Sequence, residues 1–200
     1  MCEIICVTNR HLVEGDFIRQ LERIAESGVR AIVLREKDLS EQKYEVLLKK
    51  AVEVCNGTAA AVYAHNFVGA AIRSGVRRIH LPLHVLRELD ETTKGSFELI
   101  GASCHSVKDA YEARALGAGY VFAGHIFETD CKKGLPARGT KLLKDVCDSV
   151  DIPVYAIGGI APDKMRQVLQ CGARGGCVMS GLMKADQPRE LVQKLMKGAD

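Results

Sequence analysis

The sequence repeats one short pattern four times, and this repeat restricts the possible fold more than any other feature. Each copy places a small or apolar residue before a glycine and an apolar run after it. The copies are SGVRAIVLRE (27–36), SGVRRIHLP (74–82), LGAGYVFAGH (116–125) and CGARGGCVMS (171–180). Glycine enters the left-handed backbone region at low cost and therefore often ends a helix. The pattern predicts four helix ends, each followed almost at once by a β-strand.

The spacing of the repeats predicts one more strand in each interval. The glycines at positions 28, 75, 117 and 172 are 47, 42 and 55 residues apart, about twice the length of a strand–helix unit. Apolar runs of strand length, rich in valine and isoleucine, occupy the three intervals at 60–65, 98–103 and 152–157, and a fourth precedes the first repeat at 3–8. Apolar residues recur at helical spacing between the strands. The segment 81–95 is the weakest unit, with only a short helical turn predicted at VLREL.

Eight strands that alternate with helices and are apolar along their whole length predict a parallel sheet covered by helices. Eight such units favour closure into a barrel. We therefore predict an α/β protein with a single, compact (β/α)₈ TIM-barrel domain over 1–200 and short loops after the strands.

Composition excludes several classes of protein. The net charge is +3, and the basic and acidic residues are interspersed, which argues against a nucleic-acid partner. No secretion signal is recognisable and no apolar stretch approaches the roughly 18 residues of a membrane helix, so we expect a cytoplasmic protein without membrane contact. The eight cysteines form no recognisable metal-binding spacing. We predict no metal site from them.

The polar residues at the predicted strand ends indicate an anionic ligand. Function in a barrel of this type collects at the carboxyl ends of the strands, and phosphate is often held after strands seven and eight. Gly158 and Gly159 follow the seventh predicted strand, and Ser180 and Gly181 follow the eighth. We predict that these four residues bind phosphate. The alternative is that the glycines only turn the chain and Ser180 caps a helix.

Two basic residues alternate at the end of the second strand. Arg35 and Lys37 are expected on one face and Glu36 on the other. A solvated charge run is an equally good explanation of this pattern. His80 and His105 are ambiguous, and the sequence assigns them no role.

The strand ends, taken in order, resemble the thiamine phosphate synthase/TenI family over nearly the whole chain. The motifs that carry the resemblance are VLREK (33–37), IHLP (79–82), IGASCHS (100–106), GHIFETDCKKG (124–134), IPVYAIGGIAPD (152–163) and VMSG (178–181). The family implies a (β/α)₈ barrel. Its synthases join a pyrimidine pyrophosphate to a thiazole phosphate, using two carboxylates after strands three and four to hold Mg²⁺. The corresponding pairs here are His65-Asn66 and His84-Val85, which supply no carboxylate.

The loop after strand six instead resembles the TenI branch, which has a histidine where synthases have proline. That resemblance implies thiazole tautomerisation, in which a carboxylated dihydrothiazole phosphate becomes its aromatic isomer. His125 would then be the acid/base that moves the proton, a role suited to the side chain that titrates nearest neutrality. Arg35 or Lys132 would bind the ring carboxylate, with Lys37, Asn66 and Ser103 as further contacts. A histidine that merely caps a strand is the alternative.

The sequence therefore predicts an isomerase, a thiazole tautomerase of thiamine biosynthesis that needs no metal and no redox cofactor. Its partner would be a small-molecule thiazole phosphate, and homodimer formation is left open. Two alternatives remain at this point. One is a thiamine phosphate synthase, a transferase, and the other is a non-catalytic regulatory barrel that binds a thiazole or thiamine phosphate.

Overall fold

The computed structural model describes residues 2–129 and 134–199. Eight parallel strands close into a barrel in chain order, which confirms the predicted (β/α)₈ fold. The strands are β1 (Glu3–Val7), β2 (Ala31–Val33), β3 (Ala61–His65), β4 (Arg78–Pro82), β5 (Leu99–Cys104), β6 (Tyr120–Gly124), β7 (Val154–Ile157) and β8 (Gly175–Val178). Closure comes from the pairing of β1 with β8, in which Ile5 lies opposite Cys177.

Helices surround this barrel. They are α1 (Phe17–Ala25), α2 (Glu41–Cys55), α3 (Val68–Arg73), α4 (Leu83–Glu88), α5 (Glu91–Gly95), α6 (Val107–Ala115), α7 (Gly139–Ser149), α8 (Met165–Gln170), α9 (Ser180–Met183) and α10 (Pro188–Lys197). None of the helices in the described ranges is both long and apolar enough to cross a bilayer.

The segment predicted to be the weakest unit contains two short helices, α4 and α5, where the sequence predicted only one turn. Leu83 and Leu86 of α4 are buried in the core. Asp90 precedes α5 and accepts a hydrogen bond from the backbone N–H of Thr93. Burial and capping therefore stabilise helices that the apolar periodicity was too short to reveal.

The repeated glycines end helices as predicted. Gly28, Gly75, Gly117 and Gly172 have φ angles of 94°, 68°, 92° and 91°. They follow the ends of α1, α3, α6 and α8 by two or three residues. A side chain is strained in this region, so the repeat in the sequence reflects a repeated backbone requirement.

The core has two layers, one between the barrel and the helices and one inside the barrel. In β1, Ile4 and Cys6 belong to the outer layer, whereas Ile5 and Val7 belong to the inner one. Tyr63, Tyr120, Phe122 and Tyr155 fill much of the barrel interior. Because both faces of each strand are covered, the strands are largely apolar.

Candidate functional site

A cavity of about 320 Å³ opens at the carboxyl ends of the strands. Every strand contributes to it. Its lining comprises Val7, Val33, Arg35, Lys37, His65, His80, Pro82, Ser103, His105, Phe122, Gly124, His125, Thr129, Ile157, Gly158, Gly159, Ile160, Cys177, Val178, Met179, Ser180 and Gly181. The cavity lies where barrels of this architecture hold their active sites.

Most of the predicted site residues meet in this cavity. Those that line it are Arg35, Lys37, Ser103, His125, Gly158, Gly159, Ser180 and Gly181. Asn66 is not among the lining residues; it has a left-handed backbone with φ of 65° at the start of the loop after β3. Lys132 lies outside the described residues. Sequence reasoning did not assign a role to His65, His80 or His105, which also line the cavity.

The charge of the described lining is positive. Arg35 and Lys37 are its basic side chains, and no aspartate or glutamate among the described residues joins them. Glu36, between them, is 2% exposed and is turned to the barrel wall, as the alternation predicted. Its carboxylate accepts hydrogen bonds from the Thr8 hydroxyl at 2.6 Å and from the backbone N–H of Arg10 at 3.0 Å. The cavity therefore suits an anionic ligand.

Glu36 also holds the loop that positions Arg35. The Arg10 guanidinium pairs with its carboxylate at 3.1 Å. The Thr8 hydroxyl, which donates to Glu36, accepts a hydrogen bond from the backbone N–H of Arg35 at 2.9 Å. Because the carboxylate has these partners, its charge is directed at Arg10 and Thr8 rather than at the cavity.

A chain of hydrogen bonds reaches the cavity through His80. Its Nδ1 lies 3.1 Å from the hydroxyl of Tyr120, and its Nε2 lies 2.8 Å from the hydroxyl of Ser103. The ring of Phe122 stacks on the imidazole with centroids 4.0 Å apart. The sequence showed only that His80 ends an apolar run, and the contact with Tyr120 depends on the arrangement of β4 and β6 on either side of β5.

Burial keeps two histidines of the cavity uncharged. Burial, assisted by the charges of Lys37 and Arg35, lowers the pKa of His65 from 6.5 to about 3. Burial is also the main cause that places the pKa of His80 well below its ordinary value, and His65 and Lys37 lower it further. At neutral pH the imidazoles of His65 and His80 are neutral hydrogen-bonding groups beside the charged side chains of Arg35 and Lys37.

The glycines after β7 are required by the neighbouring loop. Gly158 has φ of 97°, and a Cβ there would lie 2.3 Å from the Cβ of His125. Gly159 has φ of 65°, and a Cβ there would lie 2.4 Å from the carbonyl oxygen of Glu128. Close packing against the loop after β6 thus accounts for both glycines, in addition to any approach of a phosphate.

Ser180 is the first residue of α9 and Met179 precedes it as the N-cap, so the alternative of Ser180 as a helix cap is wrong.

His125 lies on the wall of the cavity and is 9% exposed. Its Nε2 is 3.4 Å from the carbonyl oxygen of Leu135, a long hydrogen bond. Its own carbonyl oxygen accepts a hydrogen bond from the backbone N–H of Arg138 at 3.0 Å. The Nδ1 of the neighbouring His105 is 2.7 Å from the carbonyl oxygen of Gly124. Contacts across the loop therefore hold His125 in place.

The residues of the described chain do not fit a magnesium site. Mg²⁺ prefers carboxylate oxygens with near-octahedral geometry. His65-Asn66 and His84-Val85 stand where the resemblance implies the carboxylates, and His65 is stacked on His80 with centroids 6.0 Å apart. Within 2–129 and 134–199, no group of three or more His, Cys, Asp or Glu side chains could hold a metal ion.

Comparison with known proteins shows similarity over nearly the whole chain. A family model described as thiamine monophosphate synthase matches residues 4–182. A thiamine-phosphate synthase 2 of Streptococcus pneumoniae is 31% identical over 198 residues, which is 96% of this chain and 92% of that protein. A thiamine-phosphate synthase of Caldivirga maquilingensis is 33% identical over 175 residues, which is 88% of this chain and 85% of that protein. The solved structure of thiamine phosphate pyrophosphorylase from Pyrococcus furiosus matches with a TM-score of 0.84 at 28% identity. The match covers 98% of this chain and 95% of that chain.

These relatives correct the predicted activity. The sequence predicted an isomerase, a thiazole tautomerase, because the carboxylates of a synthase are missing after strands three and four and because a histidine, His125, stands where synthases have proline. The curated relatives are named as synthases, which are transferases, so the isomerase prediction is wrong. A histidine at a strand end is too common a feature to identify a proton shuttle.

The family resemblance itself is confirmed. The matched model covers 4–182, and relatives above 30% identity extend over most of both chains. The chain belongs to the thiamine monophosphate synthase family.

Proposed function

We propose that this protein is a transferase of thiamine biosynthesis that joins a pyrimidine carried as its pyrophosphate to a thiazole phosphate. In this reaction the pyrimidine carbon that carries the pyrophosphate becomes bonded to the thiazole, and pyrophosphate leaves with the electrons of the broken carbon–oxygen bond. Both substrates are anions. The observation that carries the proposal is that two groups of residues suited to anions line one cavity, in a chain similar to synthases along almost its full length.

The first region consists of the backbone after β7 and β8. Gly158, Gly159, Ser180 and Gly181 all line the cavity. Loops after strands seven and eight are the usual phosphate site of this fold, which supports placing the phosphate of the thiazole there. Amide N–H groups that bind a phosphate oxygen each contribute about 1.5–3 kcal/mol, because the acceptor is charged.

The second region consists of Arg35 and Lys37 in the loop after β2, and β1 separates β2 from β8. We place the pyrophosphate against these two side chains. A guanidinium binds two phosphate oxygens at once, and an ammonium adds a compact positive charge. Since the described residues do not fit Mg²⁺, these basic side chains are the groups proposed to stabilise the departing negative charge.

Ser103 and His125 lie on the wall of the same cavity and are proposed to contact the rings. The reaction transfers a carbon group and needs no proton shuttle on the thiazole, so we assign His125 a binding role in it. Asn66, which does not line the cavity, is left out of the proposed ligand contacts.

The direct test is to incubate the purified protein with the pyrimidine pyrophosphate and the thiazole phosphate and to measure thiamine phosphate by liquid chromatography. We expect product both with Mg²⁺ and with EDTA, and a loss of at least tenfold in rate for Arg35→Gln. Arg166→Gln, a change of the same chemistry at an exposed position of α8, is the control and should retain the wild-type rate. Absence of thiamine phosphate under both conditions would overturn the proposal.

A further inference from the structure

A buried tyrosine is connected to the cavity through a histidine. The hydroxyl of Tyr120 lies 3.1 Å from Nδ1 of His80, and Nε2 of His80 lies 2.8 Å from the hydroxyl of Ser103. Tyr120 and His80 are 3% and 1% exposed. Ser103 is half-buried and lines the cavity, so the chain ends at a hydroxyl that a ligand can reach.

The proton on the Tyr120 hydroxyl has one acceptor recorded in the described structure, which is Nδ1 of His80. The other neighbours of this tyrosine include the rings of Tyr63 and Tyr155, at centroid distances of 5.8 and 5.9 Å. Burial raises the pKa of Tyr120 well above its ordinary value, so the hydroxyl keeps its proton. A buried hydroxyl that did not donate would be left unsatisfied at a cost in stability. Tyr120 is therefore the donor in this hydrogen bond.

This direction of donation determines the state of the imidazole. A neutral imidazole carries one proton and offers one acceptor nitrogen. If Nδ1 accepts from Tyr120, the proton must be on Nε2, and Nε2 donates to the oxygen of Ser103. The Ser103 oxygen is then used as an acceptor by His80, and its own proton is directed elsewhere. Ser103 lines the cavity, where a ligand can accept that proton.

We propose that Tyr120 holds His80 in the Nε2-protonated tautomer and thereby makes Ser103 a hydrogen-bond donor to the ligand. Tyr120 is a positioning residue, because it acts through His80 and Ser103. The site would select a ligand that presents an acceptor at this point, such as a ring nitrogen or an anionic oxygen, over one that presents an N–H or O–H. The inference deepens the proposed function and rests on it for the identity of the ligand, whereas the tautomer itself does not depend on the reaction.

The tautomer is tested by ¹⁵N NMR of the ligand-free protein with labelled histidine, in which long-range proton–nitrogen correlations distinguish a protonated ring nitrogen from a bare one. We expect a protonated Nε2 and a bare Nδ1 for His80 in the wild type. Tyr120→Phe should produce a detectable population with the proton on Nδ1. Tyr63→Phe is the matched control, because it removes a hydroxyl from another barrel tyrosine for which no contact with His80 is recorded, and it should leave the spectrum unchanged. A wild-type protein with the proton on Nδ1 would overturn the inference without any variant.

The effect on the ligand is tested by titrating thiamine phosphate. We expect Ser103→Ala to weaken binding about tenfold and Tyr120→Phe to weaken it about threefold to tenfold. Because both changes remove the same donor, the double variant should bind no more weakly than Ser103→Ala alone. Additive losses would mean that Tyr120 acts by another route. If the protein makes no thiamine phosphate but His80 shows the expected tautomer, the proposed function is wrong and the tautomer inference holds. If the protein is an active synthase but His80 carries its proton on Nδ1, the proposed function holds and the tautomer inference is wrong.

Discussion

The carboxylate of Glu36 accepts hydrogen bonds from both the backbone N–H and the guanidinium of Arg10, at 3.0 and 3.1 Å. Glu36 stands between Arg35 and Lys37 in the sequence, and those two residues line the cavity. The contact with Arg10 keeps the negative charge of Glu36 out of that cavity. The electrostatic character of the site thus depends on a residue that does not face it.

Replacement of Glu36 by glutamine should destabilise the fold. The amide keeps the size of the carboxylate but loses the charge that Arg10 and Thr8 bind, and hydrogen bonds to a charged group contribute about 1.5–3 kcal/mol. We expect the free energy of unfolding in urea to fall by about that amount. Asp38→Asn, which weakens the exposed pair between Asp38 and the same Arg10, is the control and should have a smaller effect. Equal losses for the two variants would contradict the structural role of Glu36.

Arg35 and Lys37 should bind inorganic pyrophosphate without help from a metal. We expect Arg35→Gln and Lys37→Met each to weaken binding about tenfold in calorimetric titrations, since each removes one charged interaction of roughly 1.5 kcal/mol. Lys43→Met, at an exposed position of α2, is the matched control and should bind like the wild type. Adding Mg²⁺ should not strengthen binding. An Mg²⁺-dependent gain that EDTA reverses would show that carboxylates not recognised in the described residues hold the metal.

Gly158→Ala should disturb the wall that carries His125. Alanine at φ of 97° is strained, and its Cβ would lie 2.3 Å from the Cβ of His125. The backbone strain alone costs about 1–2 kcal/mol, and the clash adds to it. Gly57→Ala is a matched control, because φ is 81° there and nothing lies within 4 Å of the added atom. We expect urea unfolding to show a larger loss for Gly158→Ala, together with weaker binding of thiamine phosphate. Similar losses of unfolding free energy in the two variants would mean that the loop after β6 can move to accommodate the added methyl group at little cost.

Acid should destabilise the protein through its buried histidines. The pKa of His65 is about 3 in the folded state against 6.5 ordinarily, so the unfolded chain binds a proton first as the pH falls. The contribution of His65 is therefore fully present above pH 6.5 and is lost as the pH falls toward about 3. The slope should approach roughly 1.4 kcal/mol per pH unit for this group.

The measurement is the free energy of unfolding in urea at several pH values between neutrality and pH ~5. His65→Asn should show a shallower pH dependence than the wild type. His84→Asn serves as the control, because this side chain is exposed, and it should retain the wild-type slope. A wild-type slope in His65→Asn would rule out His65 as a source of acid sensitivity.

Sequence patterns predicted the barrel well because their signals are local. A left-handed glycine after a helix, as at Gly28 or Gly117, is required by the backbone within a few residues. The structure places Arg35 and Lys37 in the cavity as the alternation predicted, although β2 ends at Val33 and these residues lie in the loop that follows it. The activity was predicted wrongly because two local features, the missing carboxylates after strands three and four and the histidine at position 125, were given more weight than the similarity of the chain as a whole.

Local sequence patterns could not predict the polar contacts of the site. His80 meets Tyr120 across 40 residues of sequence and Ser103 across 23, and these contacts exist because β4 pairs with β5 and β5 pairs with β6 in the sheet. The pairing of β6 with β7 likewise sets Gly158 against His125. The periodicity of apolar residues and the placement of glycines are properties of short segments of the sequence. They determine the barrel and the strand ends at which a ligand binds. Which side chains neutralise, orient or crowd one another at those ends depends on distances between segments far apart in sequence, and only the assembled barrel defines them.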